Sequence, residues 1–186
     1  YYENNQFLLQ GDNIVSIIFR KILLPSLLIY IFVLPIINIF IPIKIIFFNY
    51  GFVFKEVLFI WFSGITTLVF IVNFFLKGMW GRARPNDILI FDGGGVFTPW
   101  YKIGDSCFSN CSFVSGDASV GFMIIVFYFI TQKNIYIYLA LFFGITLGFI
   151  RIIAGGHFFS DIVFSQIVVT TSLLIFFILY RRLFVK

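Results

Sequence analysis

The chain has 186 residues, of which 61% are hydrophobic and 11% charged, with 29 phenylalanines and a formal net charge of +5. A soluble domain carries about 25% charged residues, so the composition excludes one, and it excludes intrinsic disorder as well. The positive balance does not point to nucleic acid, because the basic residues are scattered between apolar runs with no basic tract and no nucleic-acid motif.

Residues 1–19 lack the basic start and apolar core of a signal peptide. The chain opens on Tyr1, so we expect a piece of a longer protein, with a further span upstream. A spanning helix needs about 20 mostly apolar residues. Charge-free stretches predict five, at roughly 22–43, 54–76, 116–132, 134–153 and 159–180. The runs do not alternate apolar and polar residues, which excludes barrel strands. Pro25 and Pro35 predict a kink in the first span and Pro42 its end.

The second span ends in KGMWGRARP, Lys77 to Pro85. Residues 86–113 form a polar and aromatic loop. Its Gly93-Gly94-Gly95 run is not a phosphate loop, since no Lys-Ser/Thr follows. Phe97, Trp100 and Tyr101 suit a membrane interface, either as a lid over a headgroup or as a connection resting on lipid. Cys107 and Cys111 are close enough to pair in an oxidising compartment, or they are two free thiols. Ser115-Gly116 opens the third span, with Asp117 next. The fourth span runs into RIIAGGHFFSD, Arg151 to Asp161, and the fifth follows.

Three of these segments meet the same side of the membrane. Lys77, Arg82, Arg84 and Arg151 place four cations at the edge of hydrocarbon, where charge is expensive and marks function. Such a cluster suits an anion, and guanidinium forks suit phosphate. The Ser115-Gly116 helix start adds free N–H groups. His157 is the single histidine, and Asp161 at i+4 stands within reach on one helix face. Gly155-Gly156 breaks the helix and turns Arg151 and His157 into one pocket. No metal site is expected.

Lys and Arg divide seven to six between the two sides, which leaves orientation open. Setting aside Lys77, Arg82, Arg84 and Arg151 as ligand-binding makes it three to six. The motif side then faces away from the cytoplasm. A small transporter or channel subunit is disfavoured, since the spans hold only scattered polar residues such as Asn38, Ser63, Thr66 and Asn73.

Lys77-x6-Arg84-Pro85, Ser115-Gly116 and Arg151-x5-His157-x3-Asp161, in this order, resemble the tripartite signature of the type 2 phosphatidic acid phosphatase superfamily over about residues 50–180. The resemblance implies an all-α polytopic bundle of six helices, the first missing here. It implies one integral-membrane domain over 1–186, with the 77–117 loop carrying part of a periplasmic site. Lys77, Arg84 and Arg151, with Arg82 beside them, would clamp phosphate, and Ser115 and the Gly116 amide would bind its other oxygens. His157 would form a phosphohistidine, oriented by Asp161, without any cofactor. Two positions depart from the pattern: Asp117 stands where the family has His, and Ile150 where it has Ser. An aspartate is a weak acid source at neutral pH unless its surroundings favour the protonated form.

CSFVSGDAS and GGHFFSD are most similar to the bacterial lipid A 4′-phosphatase branch, where an acidic residue can hold the His position. The expected partners are a phosphorylated membrane lipid and the bilayer of a bacterial inner membrane. Undecaprenyl diphosphate and phosphatidylglycerophosphate remain open as substrates. So does a relative that binds lipid phosphate without cleaving it.

Overall fold

The computed structural model describes residues 2–3, 6–9, 14–41 and 47–184. Pro42, expected to end the first span, and Lys44 and Lys186, counted in the orientation, lie outside them. Five apolar helices follow in order among them: α1 (Ile14–Phe40), α2 (Phe54–Met79), α3 (Gly116–Thr131), α4 (Ile135–Ile153) and α5 (Phe159–Phe184). All but α3 are long and apolar enough to cross a membrane. The chain is thus the expected all-α membrane bundle. A short antiparallel pair, β1 (Tyr2–Glu3) with β2 (Gln6–Phe7), precedes it.

The first helix starts earlier than the charge-free run implies, taking in Arg20 and Lys21. Long basic side chains let a helix continue through the interface while their charges stay out of hydrocarbon. Its prolines are met by wide turns. π-helical segments Phe19–Leu23 and Ile29–Val33 run directly into the stretches that carry Pro25 and Pro35 near their first position. A wider turn gives the ring room where a regular turn would clash. In α2 a similar stretch spans Thr66–Leu76, and Asn73 Nδ2 reaches back to the Leu68 carbonyl at 2.6 Å.

The third helix is short because it is enclosed. Residues 118–124 are all buried, so α3 meets protein where the others meet lipid. Gly121 and Gly144 let it approach α4, since a Cβ at Gly121 would lie 2.6 Å from the Gly144 nitrogen. Outward positions remain apolar, including Phe74 at 67% and Phe142 at 61% exposure, as a lipid-facing surface requires.

The starts of α1, α3 and α5 and the ends of α2 and α4 share one end of the bundle. Arg20 and Arg151 both approach Asp117, and the Ser115 amide donates to the Asp161 carbonyl at 3.3 Å. The 80–115 loop covers this end and is tied down. Gly104 N–H donates to the Trp80 carbonyl, Ser112 N–H to the Arg82 carbonyl, and Trp80 Nε1 to the Trp100 carbonyl. Trp100 packs on Phe164 and Phe97 on Phe158, while Tyr101 is exposed.

Candidate active site

The fourth helix ends at Ile153, and Gly155 follows at φ +68°, a left-handed conformation that costs glycine little. The reversal carries Gly156 under the Arg151 guanidinium, where a Cβ would collide with Nη2. Arg151 therefore leans over the turn, and His157 emerges beside it.

His157 is 2% exposed. Its Nδ1 lies 2.7 Å from the Ser112 carbonyl. A carbonyl only accepts, so Nδ1 carries the proton and Nε2 keeps its lone pair. Burial lowers the imidazole to a pKa of about 4. Asp161 opposes this, and the Lys77 and Arg151 charges add to the lowering. His157 is therefore neutral at physiological pH, the state a nitrogen nucleophile needs.

The contact expected between His157 and Asp161 takes another form. Helix α5 begins at Phe159, so the pair does not share a helical face. Asp161 Oδ2 is 3.6 Å from Nδ1, too far for a hydrogen bond. That oxygen already accepts from Ser112 Oγ at 2.5 Å and from the Phe158 amide at 2.8 Å. Asp161 thus holds the ring's surroundings through Ser112 and the turn, and acts on the ring itself by its charge.

Arg82 also departs from expectation. It does not join the other cations; it stands behind Asp161. Its Nη1 donates to Asp161 Oδ1 at 2.5 Å and to Ser160 Oγ at 2.8 Å, and its Nε to the Thr98 carbonyl at 2.8 Å. The guanidinium lies 4.2 Å from the Phe158 ring centre and the residue is 2% exposed. A buried aspartate needs such a partner, and this one leaves Arg82 little to offer a ligand.

Lys77, Arg84, Arg151 and Asp117 gather at the start of α3. Lys77 is 8% exposed, and its Nζ would lie 3.2 Å from a Cβ on Gly116. Arg84 Nε and Nη2 donate to the Asn110 carbonyl at 3.1 and 2.8 Å, and Lys77 Nζ lies 3.5 Å from Asn110 Oδ1. Asn110 sits inside the ring closed by the Cys107–Cys111 disulfide. Burial lowers the Arg84 guanidinium from its ordinary value, Asp87 and Asp117 oppose that, and Arg20 adds to it. Ser115 caps α3, its Oγ accepting from the Ala118 amide, and its carbonyl accepts from Ser165 and Ser119. Arg151 Nε stands 3.3 Å from Asp117 Oδ2 but is misaligned, and it is a buried donor with no hydrogen-bond acceptor.

The model of the PAP2 superfamily matches residues 58–185. The chain belongs to the PAP2 superfamily. Among curated relatives, the lipid A 4′-phosphatase of Francisella tularensis subsp. novicida (strain U112) is 39% identical over 117 residues, 60% of this chain and 53% of that protein. Those of Rhizobium leguminosarum and Rhizobium etli are 37% and 35% identical over 112 residues each, 57% of this chain and 48% and 44% of theirs. The chain spans about half the length of the curated relatives it matches. No solved structure matches it significantly.

As a PAP2 member the chain places its three motifs around one centre, and three further residues that motif reasoning missed support them. Ser112 holds His157 by its carbonyl and Asp161 by its hydroxyl. Asn110 holds two cations. Arg20, from a helix outside the matched region, reaches Asp117. Only Ser112 left a trace in the sequence, standing at the head of the second motif.

Proposed function

We propose that this chain is a lipid phosphatase that removes a phosphate monoester, the 4′-phosphate of lipid A, at the periplasmic face of a bacterial inner membrane. The observation that carries the reading is a neutral histidine with a free Nε2 beside Arg151, whose buried Nε has no hydrogen-bond acceptor. A buried guanidinium donor in that state favours an anion. The names of the relatives, lipid A 4′-phosphatase, support lipid A as the substrate.

In this reading Lys77, Arg84 and Arg151 hold the phosphate over the Gly116 amide, with Ser115 below. His157 Nε2 attacks phosphorus, the bond from phosphorus to the sugar oxygen breaks, and the phosphoryl group moves to nitrogen. Asp117, protonated as the step begins, gives its proton to the leaving oxygen, and its carboxylate then takes one from the water that attacks phosphorus, breaks the bond to nitrogen and releases inorganic phosphate. The cations stabilise the charge that develops on the phosphoryl oxygens. An apolar hollow of about 820 Å3 borders His157 between Trp100, Phe149 and Phe159, next to lipid, and suits a substrate that stays in the bilayer.

The test is phosphate release from lipid A by detergent-purified protein, with the product lipid identified by mass spectrometry. His157→Ala lowers the rate roughly a thousandfold or more. Activity that survives this change overturns the phosphohistidine. Asp117→Asn slows turnover, and unchanged turnover removes Asp117 as the proton route. Faster release from undecaprenyl diphosphate or phosphatidylglycerophosphate reassigns the substrate. No release from any of them leaves a phosphate-binding protein.

A further inference from the structure

Asp117 Oδ2 is shared by two guanidinium groups. Arg151 Nε approaches it to 3.3 Å and Arg20 Nε to 3.8 Å, so the two nitrogens are at most about 7 Å apart. Arg20 comes from α1, which lies outside the three motifs and outside the family match. Its neighbour Lys21 has no ion pair among the described residues. Ordinary snorkelling explains Lys21, but it does not explain an arginine turned to the carboxylate at the head of α3.

We propose that Arg20 is a further phosphate-binding residue, held over the site by Asp117 and transferred to the substrate phosphate when it arrives. A phosphate accepting contacts of roughly 2.8 Å on two of its oxygens bridges a gap of the size between Arg20 and Arg151. The pair with Asp117 is long, and the Arg20 side chain is 57% exposed, so an arriving dianion displaces it readily. Asp117 thereby stands where an anion would sit between the two guanidinium groups. The exchange also takes Arg20 off Asp117 before the aspartate has to carry a proton to the leaving oxygen. The inference rests on the phosphatase reading of this site for its substrate, but not for its anion.

Binding of inorganic phosphate to the full chain in detergent, measured by calorimetry, separates the two. Arg20→Ala weakens binding about tenfold, the size of one charge-assisted contact. Arg20→Lys recovers part of the loss, and Lys21→Ala leaves affinity unchanged. With a lipid phosphate as substrate, Arg20→Ala raises KM and leaves kcat within about twofold. Equal phosphate affinity in wild type and Arg20→Ala overturns the proposal while the phosphatase reading stands. Arg20-dependent binding without release from any lipid overturns the phosphatase reading and leaves Arg20 a phosphate ligand. A wild-type chain that binds no phosphate overturns both.

Discussion

At the scale of single residues, the centre is a chain of dependencies running backward from His157. Asp161 and Arg82 form a pair with 0% and 3% of their side chains exposed. Removing one charge from such a pair strands the other, which costs about 3–5 kcal/mol. Asp161→Asn is therefore expected to lower thermal stability in detergent sharply. The Arg82→Met, Asp161→Asn double variant regains part of it, because no buried charge is left unpaired. The pH dependence of stability has a definite sign. Histidine in the unfolded chain protonates near 6.5, whereas folded His157 does so at about 4. Between these values the unfolded chain binds the extra proton, so stability rises with pH across this window and is lost on acidification through it. Unfolding temperatures from pH 4 to 7 should rise more steeply for wild type than for His157→Phe. The motif residues themselves were legible in the sequence, because charge at a membrane edge is conspicuous. The contacts of Ser112 to His157 and of Asn110 to Arg84 were not, because each runs through a backbone carbonyl that every residue type possesses.

At the scale of elements, apolar run lengths located all five helices to within a few residues, apart from the start of α1. That start was hidden because Arg20 and Lys21 read as the end of a span, when an interface lets a helix carry them. The enclosed α3 makes a separate prediction. Gly121→Leu drives a side chain into the backbone of α4, where a Cβ alone would stand 2.6 Å from the Phe143 carbonyl carbon. Overpacking of this kind costs about 1–3 kcal/mol. Because α3 also carries Ser115 and Asp117, phosphate release should fall with stability. Phe142→Leu, on the lipid side of α4, should change neither, as thermal unfolding and activity assays will show.

At the scale of the whole molecule, the Lys and Arg distribution now has a physical account. On the motif side Lys77, Arg84 and Arg151 gather at α3, Arg82 is spent on Asp161, and Arg20 leans on Asp117. Among the described residues only Lys21 and Lys102 remain there, against Lys55, Lys133, Arg181 and Arg182 on the other side. A bare count gives seven to six, and the four motif cations had to be set aside to reach three to six, because a count cannot distinguish a cation that faces headgroups from one that serves a pocket. The expected topology is checked with introduced thiols, since both native cysteines are bonded to each other. In intact bacteria an impermeant maleimide should label Lys102→Cys, whereas Arg181→Cys should react only after lysis. The reverse pattern would place the site in the cytoplasm.

The bond between His157 and the carbonyl of Ser112 bears on how this centre can be altered or moved. What fixes the protonated nitrogen is the path of the main chain, so no side-chain replacement at 112 deletes that contact outright. A mutational scan will register the hydroxyl and miss the carbonyl. Grafting the histidine, its arginines and the aspartate onto another scaffold would transplant the visible parts and leave the tautomer unspecified. The portable unit is the loop's course through space, together with the helix start that anchors it.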